Sequence, residues 1–127
     1  MEFLNSGKVL PAGLPFSEAV RVGNVLYLSG QMGIVPGSTR LVPGGIREEA
    51  KQTLMNIRTT LEAHGVTMRD VAKCTIMLAD IGEWQAFNEV YKEFFEAPYP
   101  VRSALGAHGL ALGARVEVEC LAIIGDG

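Results

Sequence analysis

The sequence predicts an α+β domain with the element order β-β-α-β-α-β-β, in which two helices cover one face of a mixed sheet. Short runs of alternating apolar residues indicate strands, and two longer stretches carry apolar residues at helical spacing. Because strands alternate with helices along the chain, we expect βαβ crossovers that place both helices on the same face. The 127 residues, 48% of them apolar and 20% charged, suffice for one domain, residues 1–127, with a sizeable core.

The first two strands are predicted to form a hairpin over residues 19–30. Apolar residues on both sides flank the dipeptide Gly23-Asn24. Glycine and asparagine tolerate the positive φ angles that a two-residue hairpin turn requires. Residues 33–45 are rich in proline and glycine, so they are expected to form a loop.

The first helix is predicted over residues 46–64. Apolar residues recur there at near-helical spacing, and Glu48 and Glu49 favour the positive end of the helix dipole. Gly65 is expected to end the helix.

The second helix is predicted to begin at Asp80, and Pro98 and Pro100 are expected to end it. Its apolar face consists of Trp84, Phe87, Tyr91, Phe94 and Phe95. Trp84 and Phe87 are expected to anchor this helix in the core, so that replacing either one with alanine costs ~3–5 kcal/mol.

Three further strands are predicted over residues 71–78, 101–105 and 115–124. A turn over residues 67–70 that resembles a capping box precedes the first of them, and a glycine-rich loop over residues 106–113 joins the other two.

The last strand presents two different faces. Val116, Val118, Cys120 and Ala122 share the face that can pack under the helices, whereas Glu117, Glu119, Leu121 and Ile123 share the other. The sequence offers no third helix to cover this half-apolar second face. We therefore expect a homo-oligomer in which sheet packs against sheet, and the alternative is an ordinary sheet with one half-solvated face.

Composition and charge exclude several classes of protein. The formal net charge is −3, and residues 80–96 carry five acidic residues against Lys92 alone, so no nucleic-acid partner is expected. Two widely separated cysteines exclude a disulfide-dense scaffold and a four-cysteine zinc site. The N-terminus lacks the apolar run of a secretory signal, and no stretch is long enough to span a bilayer. A cytoplasmic protein without a membrane partner is expected.

The familiar cofactor and nucleophile motifs are absent from the sequence. It contains no G-x-G-x-x-G, G-x-x-x-x-G-K-S/T, H-E-x-x-H, C-x-x-C or G-x-S-x-G. His64 and His108 are expected to be capping or solvated residues rather than bases or metal ligands. Cys74 and Cys120 fall on the helix-covered face and are expected to be inert core thiols.

Arg102 and Glu117 remain as candidates for chemistry. Arg102 follows Pro98-Tyr99-Pro100, where the chain is stiff, and a guanidinium held there can bind a carboxylate through two hydrogen bonds. Glu117 lies on the outward face of the last strand, and adjacent strands joined by the glycine-rich loop are expected to bring the two side chains together. Such a pair can bind a small carboxylate and move protons on a neighbouring atom. The alternative is a structural salt bridge between them.

Four segments match the motifs of one known family in order and spacing. They are residues 23–31 (GNVLYLSGQ), 87–95 (FNEVYKEFF), 99–103 (YPVRS) and 113–119 (GARVEVE). Through them the chain resembles the Rid family, the YjgF-type reactive-intermediate deaminases that are also labelled endoribonuclease L-PSP. The resemblance covers nearly the whole chain.

The resemblance implies a chorismate-mutase-like α+β fold that assembles as a homotrimer with sites between subunits. It also implies an enzyme without cofactor or metal that hydrolyses small enamines and imines, such as 2-aminoacrylate and 2-iminobutanoate, to 2-oxo acids and ammonia. By the same resemblance, Arg102 binds the substrate carboxylate, and Glu117 orients the attacking water and transfers its proton.

The resemblance extends to further site residues. Ser29 and Gly30 are expected at the rim of the pocket. Asn88 either lines or supports the site or is an ordinary amide on the helix surface. Phe16 stands where many members have tyrosine, so it can shape the pocket but has no hydroxyl to donate. Ala104 stands where many members have cysteine, which argues against thiol-dependent regulation at the site.

Three other functions stay open on the sequence alone. A non-catalytic trimeric protein that binds small carboxylates would use Arg102 in the same way but would not depend on Glu117. A deaminase of the 2-aminomuconate type would act on a different substrate. A ribonuclease or translation inhibitor is disfavoured, because the acidic second helix would repel phosphate.

Overall fold

The computed structural model describes residues 1–125. The elements are β1 (Glu2–Leu4), β2 (Ala19–Val22), β3 (Val25–Leu28), α1 (Ile46–Ala63), β4 (Val71–Leu78), α2 (Trp84–Phe94), β5 (Val101–Gly106) and β6 (Val116–Ile123). Within the described range, the strands form a six-stranded mixed sheet in the order β1-β2-β3-β6-β4-β5.

The predicted order of elements is confirmed, with one strand added at the N-terminal edge. This strand, β1, pairs antiparallel with β2, and its three residues are too few for an alternating pattern to reveal it. The second helix begins later than predicted. Asp80 accepts the Gly82 N–H at 2.8 Å and so caps a 3-10 turn over Ile81–Glu83, and α-helical geometry starts only at Trp84.

The sheet topology corrects one expectation about the last two strands. β4 and β5 are parallel and joined through α2, whereas β6 pairs antiparallel with both β3 and β4. β5 and β6 are therefore not neighbours, because β4 lies between them. In this central position β6 finds hydrogen-bonding partners along both of its edges, which an outer position beside β5 would not provide.

The hydrophobic core lies between one face of the sheet and both helices, as predicted. Its fully buried members include Leu54, Ile57 and Leu61 of α1, Phe87 of α2, and Ile76, Val116 and Val118 of the sheet. The opposite face of the sheet carries exposed apolar side chains. They include Phe3, Tyr27, Val101 and Leu105, of which Phe3 and Val101 are 61% and 67% exposed.

No helix within residues 1–125 is both long and apolar enough to cross a membrane. Over the same range, no cluster of histidine, cysteine and acidic side chains has an arrangement that could hold a metal ion. The cytoplasmic location expected from the sequence stays a prediction.

The two aromatic residues expected to anchor α2 differ in burial. Phe87 is fully buried in the core, whereas Trp84 is 44% exposed, so the expectation that Trp84 is a core anchor is wrong. We expect Phe87→Ala to lower the free energy of unfolding by about 3–5 kcal/mol and Trp84→Ala to lower it far less. Urea unfolding of both variants measures the difference, and equal losses would contradict this placement of Trp84.

Candidate active site

Arg102 lies on the edge strand β5 and points toward the helices. It is in register with Cys74 of β4, and its guanidinium carbon lies 4.8 Å from the ring centroid of Tyr91 and 5.9 Å from that of Trp84. Cation–π attraction to two rings holds the guanidinium in place. No acidic side chain among residues 1–125 pairs with Arg102. Its N–H groups can therefore donate to a ligand carboxylate.

Tyr91 is the central residue of the aromatic support beneath Arg102. Its ring centroid lies 4.6 Å from that of Phe95, 5.8 Å from that of Phe87 and 6.4 Å from that of Tyr99. Burial raises the pKa of the Tyr91 phenol above its ordinary value, so the phenol stays protonated at neutral pH. Sequence reasoning assigned Tyr91 only to the apolar face of α2. The spacing of Trp84 and Tyr91 was the signal that Tyr91 also supports the Arg102 guanidinium, because these two residues lie two helical turns apart and so share one face.

Asn88 lines the same concavity as Arg102, together with Trp84 and Tyr99. Its Oδ1 atom is buried and accepts no hydrogen bond from the described residues. A buried carbonyl oxygen without a donor is costly, which makes this atom a ready acceptor for a ligand N–H. Asn88 therefore lies beside Arg102 with a buried Oδ1 atom, and its role in binding a ligand stays a prediction.

Glu117 lies on β6 and points away from the helices. It is in register with Met77 of β4, and its carboxylate packs against Gly30 so closely that a Cβ atom built at Gly30 overlaps it. Only glycine fits at that position without moving the carboxylate. Burial raises the pKa of the Glu117 carboxyl above its ordinary value, and the charge of Glu119 raises it further. A carboxyl with a raised pKa exchanges protons closer to neutral pH.

Ser29 connects the end of β3 to the segment that carries Phe16. The Ser29 hydroxyl donates to the Ser17 carbonyl oxygen at 2.5 Å, and the Ser29 N–H donates to the Glu18 carbonyl oxygen at 2.9 Å. Because its hydrogen is used in this way, the Ser29 hydroxyl can only accept from a ligand. Phe16 directly precedes Ser17 in the sequence, and its side chain is half-exposed.

The candidate residues form two separate groups in the chain. We call Arg102, Asn88, Trp84 and Tyr91 the Arg102 group, and Glu117, Gly30, Ser29 and Phe16 the Glu117 group.

Arg102 and Glu117 lie on opposite faces of the sheet. Arg102 is in register with Cys74, and Cys74 is in register with Cys120, so all three side chains lie on the helix-covered face. Glu117 precedes Cys120 by an odd number of residues on the same strand, so its side chain points to the other face. The expectation that Arg102 and Glu117 meet within one chain is therefore wrong, since alternation along the strands separates them. A salt bridge between them in the same chain is excluded for the same reason.

The histidines and cysteines outside these groups are placed as follows. His108 is exposed, as expected. His64 forms the C-cap of α1, but its ring is not solvated, because it pairs with the Glu18 carboxylate at 2.5 Å. Cys74 and Cys120 are buried as expected, with their Sγ atoms 3.3 Å apart.

The family model described as "Endoribonuclease L-PSP" matches residues 7–124. This chain belongs to the Rid (YjgF, L-PSP) family. Relatives named 2-iminobutanoate/2-iminopropanoate deaminase are similar over most of its length. The goat protein is 47% identical over 91% of this chain and 85% of its own length, and the human protein is 44% identical over 87% and 81%.

Solved structures that are similar to this chain have the same fold. RidA from an Antarctic Psychrobacter species superposes with a TM-score of 0.91 at 34% identity, covering 98% of this chain and 100% of its own. Escherichia coli TdcF with bound serine superposes with a TM-score of 0.89 at 27% identity, and the match covers 98% of this chain and 100% of the TdcF chain. The Rid fold predicted from the sequence motifs is therefore confirmed.

Proposed function

We propose that this Rid protein is a cofactor-independent deaminase that hydrolyses small 2-imino acids, such as 2-iminobutanoate and 2-iminopropanoate, to 2-oxo acids and ammonia. Relatives that carry this name support the proposal at 44–47% identity. The observation that carries it is the Arg102 guanidinium, which is fixed on two aromatic rings and pairs with no acidic side chain among residues 1–125. A fixed cation of this kind suits a ligand with a small carboxylate.

We further propose that the site forms between subunits of a homotrimer. One small substrate can contact both Arg102 and Glu117 only if the two residues come from different copies, since they lie on opposite faces of one chain. The exposed apolar face of the sheet, with Phe3, Tyr27 and Val101, supplies a surface for the contact. In a cyclic trimer each subunit contributes its Arg102 group to one site and its Glu117 group to the next.

In the proposed mechanism, Arg102 binds the substrate carboxylate through two hydrogen bonds, and the Oδ1 atom of Asn88 accepts the imine N–H. Glu117 accepts a proton from a water molecule as the water oxygen bonds to the C=N carbon. The proton then passes to the substrate nitrogen, which gives a carbinolamine. In the second step the carbinolamine hydroxyl gives its proton through Glu117 to the amine nitrogen, the C–N bond breaks, and ammonia leaves as the C=O bond of the 2-oxo acid forms.

The first test is the rate of 2-iminobutanoate hydrolysis, with the imine generated in situ and 2-oxobutanoate release measured against the spontaneous reaction. We expect the wild-type protein to accelerate hydrolysis. Binding of 2-oxobutanoate without acceleration would instead support the carboxylate-binding protein. Acceleration only with a longer dicarboxylic imine would support the 2-aminomuconate type of deaminase.

Arg102→Ala tests the carboxylate site directly. Because two charge-assisted hydrogen bonds are lost, we expect kcat/KM to fall on the order of 10²- to 10³-fold, and 2-oxobutanoate binding to weaken in calorimetry. Arg58→Ala is the matched control, since the Arg58 guanidinium also lies over an aromatic ring of α2. Its guanidinium carbon lies 5.3 Å from the ring centroid of Phe94. Equal effects of the two substitutions would contradict the proposed role of Arg102.

A further inference from the structure

Glu18 is a buried carboxylate at which three parts of the chain meet. It is 1% exposed, directly before β2. Its N–H donates to the Asn5 Oδ1 atom at 3.0 Å, and its Oε1 atom accepts from the Ser6 hydroxyl at 3.1 Å. Its carbonyl oxygen accepts the Ser29 N–H. Glu18 thereby ties the segment after β1 to the end of β3.

His64 is the partner of the second carboxylate oxygen. The Nε2 atom of His64 lies 2.5 Å from the Oε2 atom of Glu18, and the two side chains are only 10% and 2% exposed. The two residues are 46 positions apart in the sequence. Since His64 is the C-cap of α1, the contact fixes the Glu18 segment to the end of this helix.

The contacts of Glu18 lead directly to the Glu117 group. Ser29 is held by both Ser17 and Glu18, and the next residue, Gly30, packs against the Glu117 carboxylate. Phe16 lies two residues before Glu18. None of the contacts of Glu18 or His64 reaches Arg102, which lies on the other face of the sheet.

We propose that Glu18 and His64 are positioning residues for Glu117. Their buried contact fixes the segment whose Ser17 and Glu18 carbonyl oxygens accept hydrogen bonds from Ser29. Because Gly30 follows Ser29 and packs against the Glu117 carboxylate, the contact sets the place of that carboxylate relative to the bound imine. This inference rests on the proposed function. It predicts a selective defect, in which proton transfer by Glu117 suffers while carboxylate binding by Arg102 does not.

His64→Ala leaves the Glu18 carboxylate buried without its partner, a state that a folded protein relieves by moving the carboxylate toward water. We expect kcat for 2-iminobutanoate to fall about 10-fold, as for a small misplacement of a catalytic group. The Kd for 2-oxobutanoate and the binding stoichiometry in calorimetry should stay within about twofold of the wild-type values. Adding Glu18→Gln to His64→Ala removes the unpaired charge and should restore most of kcat.

Glu62→Gln and His108→Ala are the matched controls. Glu62 is an exposed acid in the last turn of α1, and His108 is an exposed histidine. Both variants should keep wild-type kcat. A fall in binding stoichiometry that parallels the fall in kcat in His64→Ala would show a merely structural role and would overturn the proposal, as would an unchanged kcat.

Amide hydrogen exchange tests the inference independently of activity. The Ser29 amide, which donates to Glu18, should exchange faster in His64→Ala, whereas amides of β5 near Arg102 should not change. If the wild-type protein proves inactive on imines, the proposed function fails but this arm still decides the positioning role. Unchanged exchange over residues 29–31 overturns it.

Discussion

Glu117→Gln should reduce kcat for 2-iminobutanoate hydrolysis by about 10²- to 10⁴-fold, the usual contribution of a positioned general base or acid. Glutamine keeps the shape that packs against Gly30 but cannot accept a proton from water. Because Arg102 lies in the other group, the KM and the affinity for 2-oxobutanoate should change little. Steady-state kinetics and calorimetry measure the two effects separately.

The same substitution should not destabilise the protein at neutral pH. Burial raises the pKa of the Glu117 carboxyl in the folded state above its unfolded value. Such a group favours the folded state below its unfolded pKa, and this contribution is lost as the pH rises through the folded pKa. At neutral pH the charged carboxylate is therefore unfavourable in the folded state, and Glu117→Gln should melt at or above the wild-type temperature. A large decrease in the melting temperature of Glu117→Gln would contradict the partly buried position of the Glu117 carboxyl.

The wild-type pH profile should reflect the raised pKa of Glu117. The carboxylate is the active form, so the rate should fall as the pH drops through this pKa, at a higher pH than for an ordinary carboxyl. Glu119→Gln is the matched control. It removes the smaller of the two causes of the raised pKa, so the acidic limb should move to lower pH while kcat at neutral pH stays within a few-fold. If Glu119→Gln lost as much activity as Glu117→Gln, the assignment of Glu117 as the residue that accepts the proton would be contradicted.

Mixed oligomers of two inactive variants should regain activity. Arg102→Ala subunits keep an intact Glu117 group, and Glu117→Ala subunits keep an intact Arg102 group. A site formed between the two kinds of subunit, in the right order, therefore contains both functional side chains. Co-expression with two different affinity tags, followed by purification on both, isolates the mixed oligomers.

The extent of recovery reports the symmetry of the assembly. In a cyclic trimer that contains both kinds of subunit, one of the three interfaces restores a site, so kcat per trimer should be about a third of the wild-type value. A two-fold dimer would restore about a half. Mixtures of Arg102→Ala with the double variant provide the control and should stay inactive. Inactive mixed oligomers would contradict a site between subunits, and light scattering gives the mass independently.

Much of the candidate site could be predicted from the sequence because its residues lie within short motifs. Local segments suggest Arg102, Glu117, Ser29 and Gly30 as candidates, and the second helix suggests Asn88, and the roles of these residues stay predictions. The support provided by Tyr91 was missed, because an aromatic residue on the apolar face of a helix gives the same pattern whether it only fills the core or also carries a cation. The contact between Glu18 and His64 was missed because no local pattern links positions this far apart.

The sequence by itself determined the local elements. Gly23 and Asn24 specify the hairpin turn, period-two alternation specifies the strands, and helical spacing specifies α1 and α2, since each of these depends on neighbours within a few residues. Only the tertiary structure decided the strand order. Strands pair with distant segments, and β6 gains partners on both edges by entering between β3 and β4. That insertion, together with strict alternation of side chains, places Arg102 and Glu117 on opposite faces of one sheet.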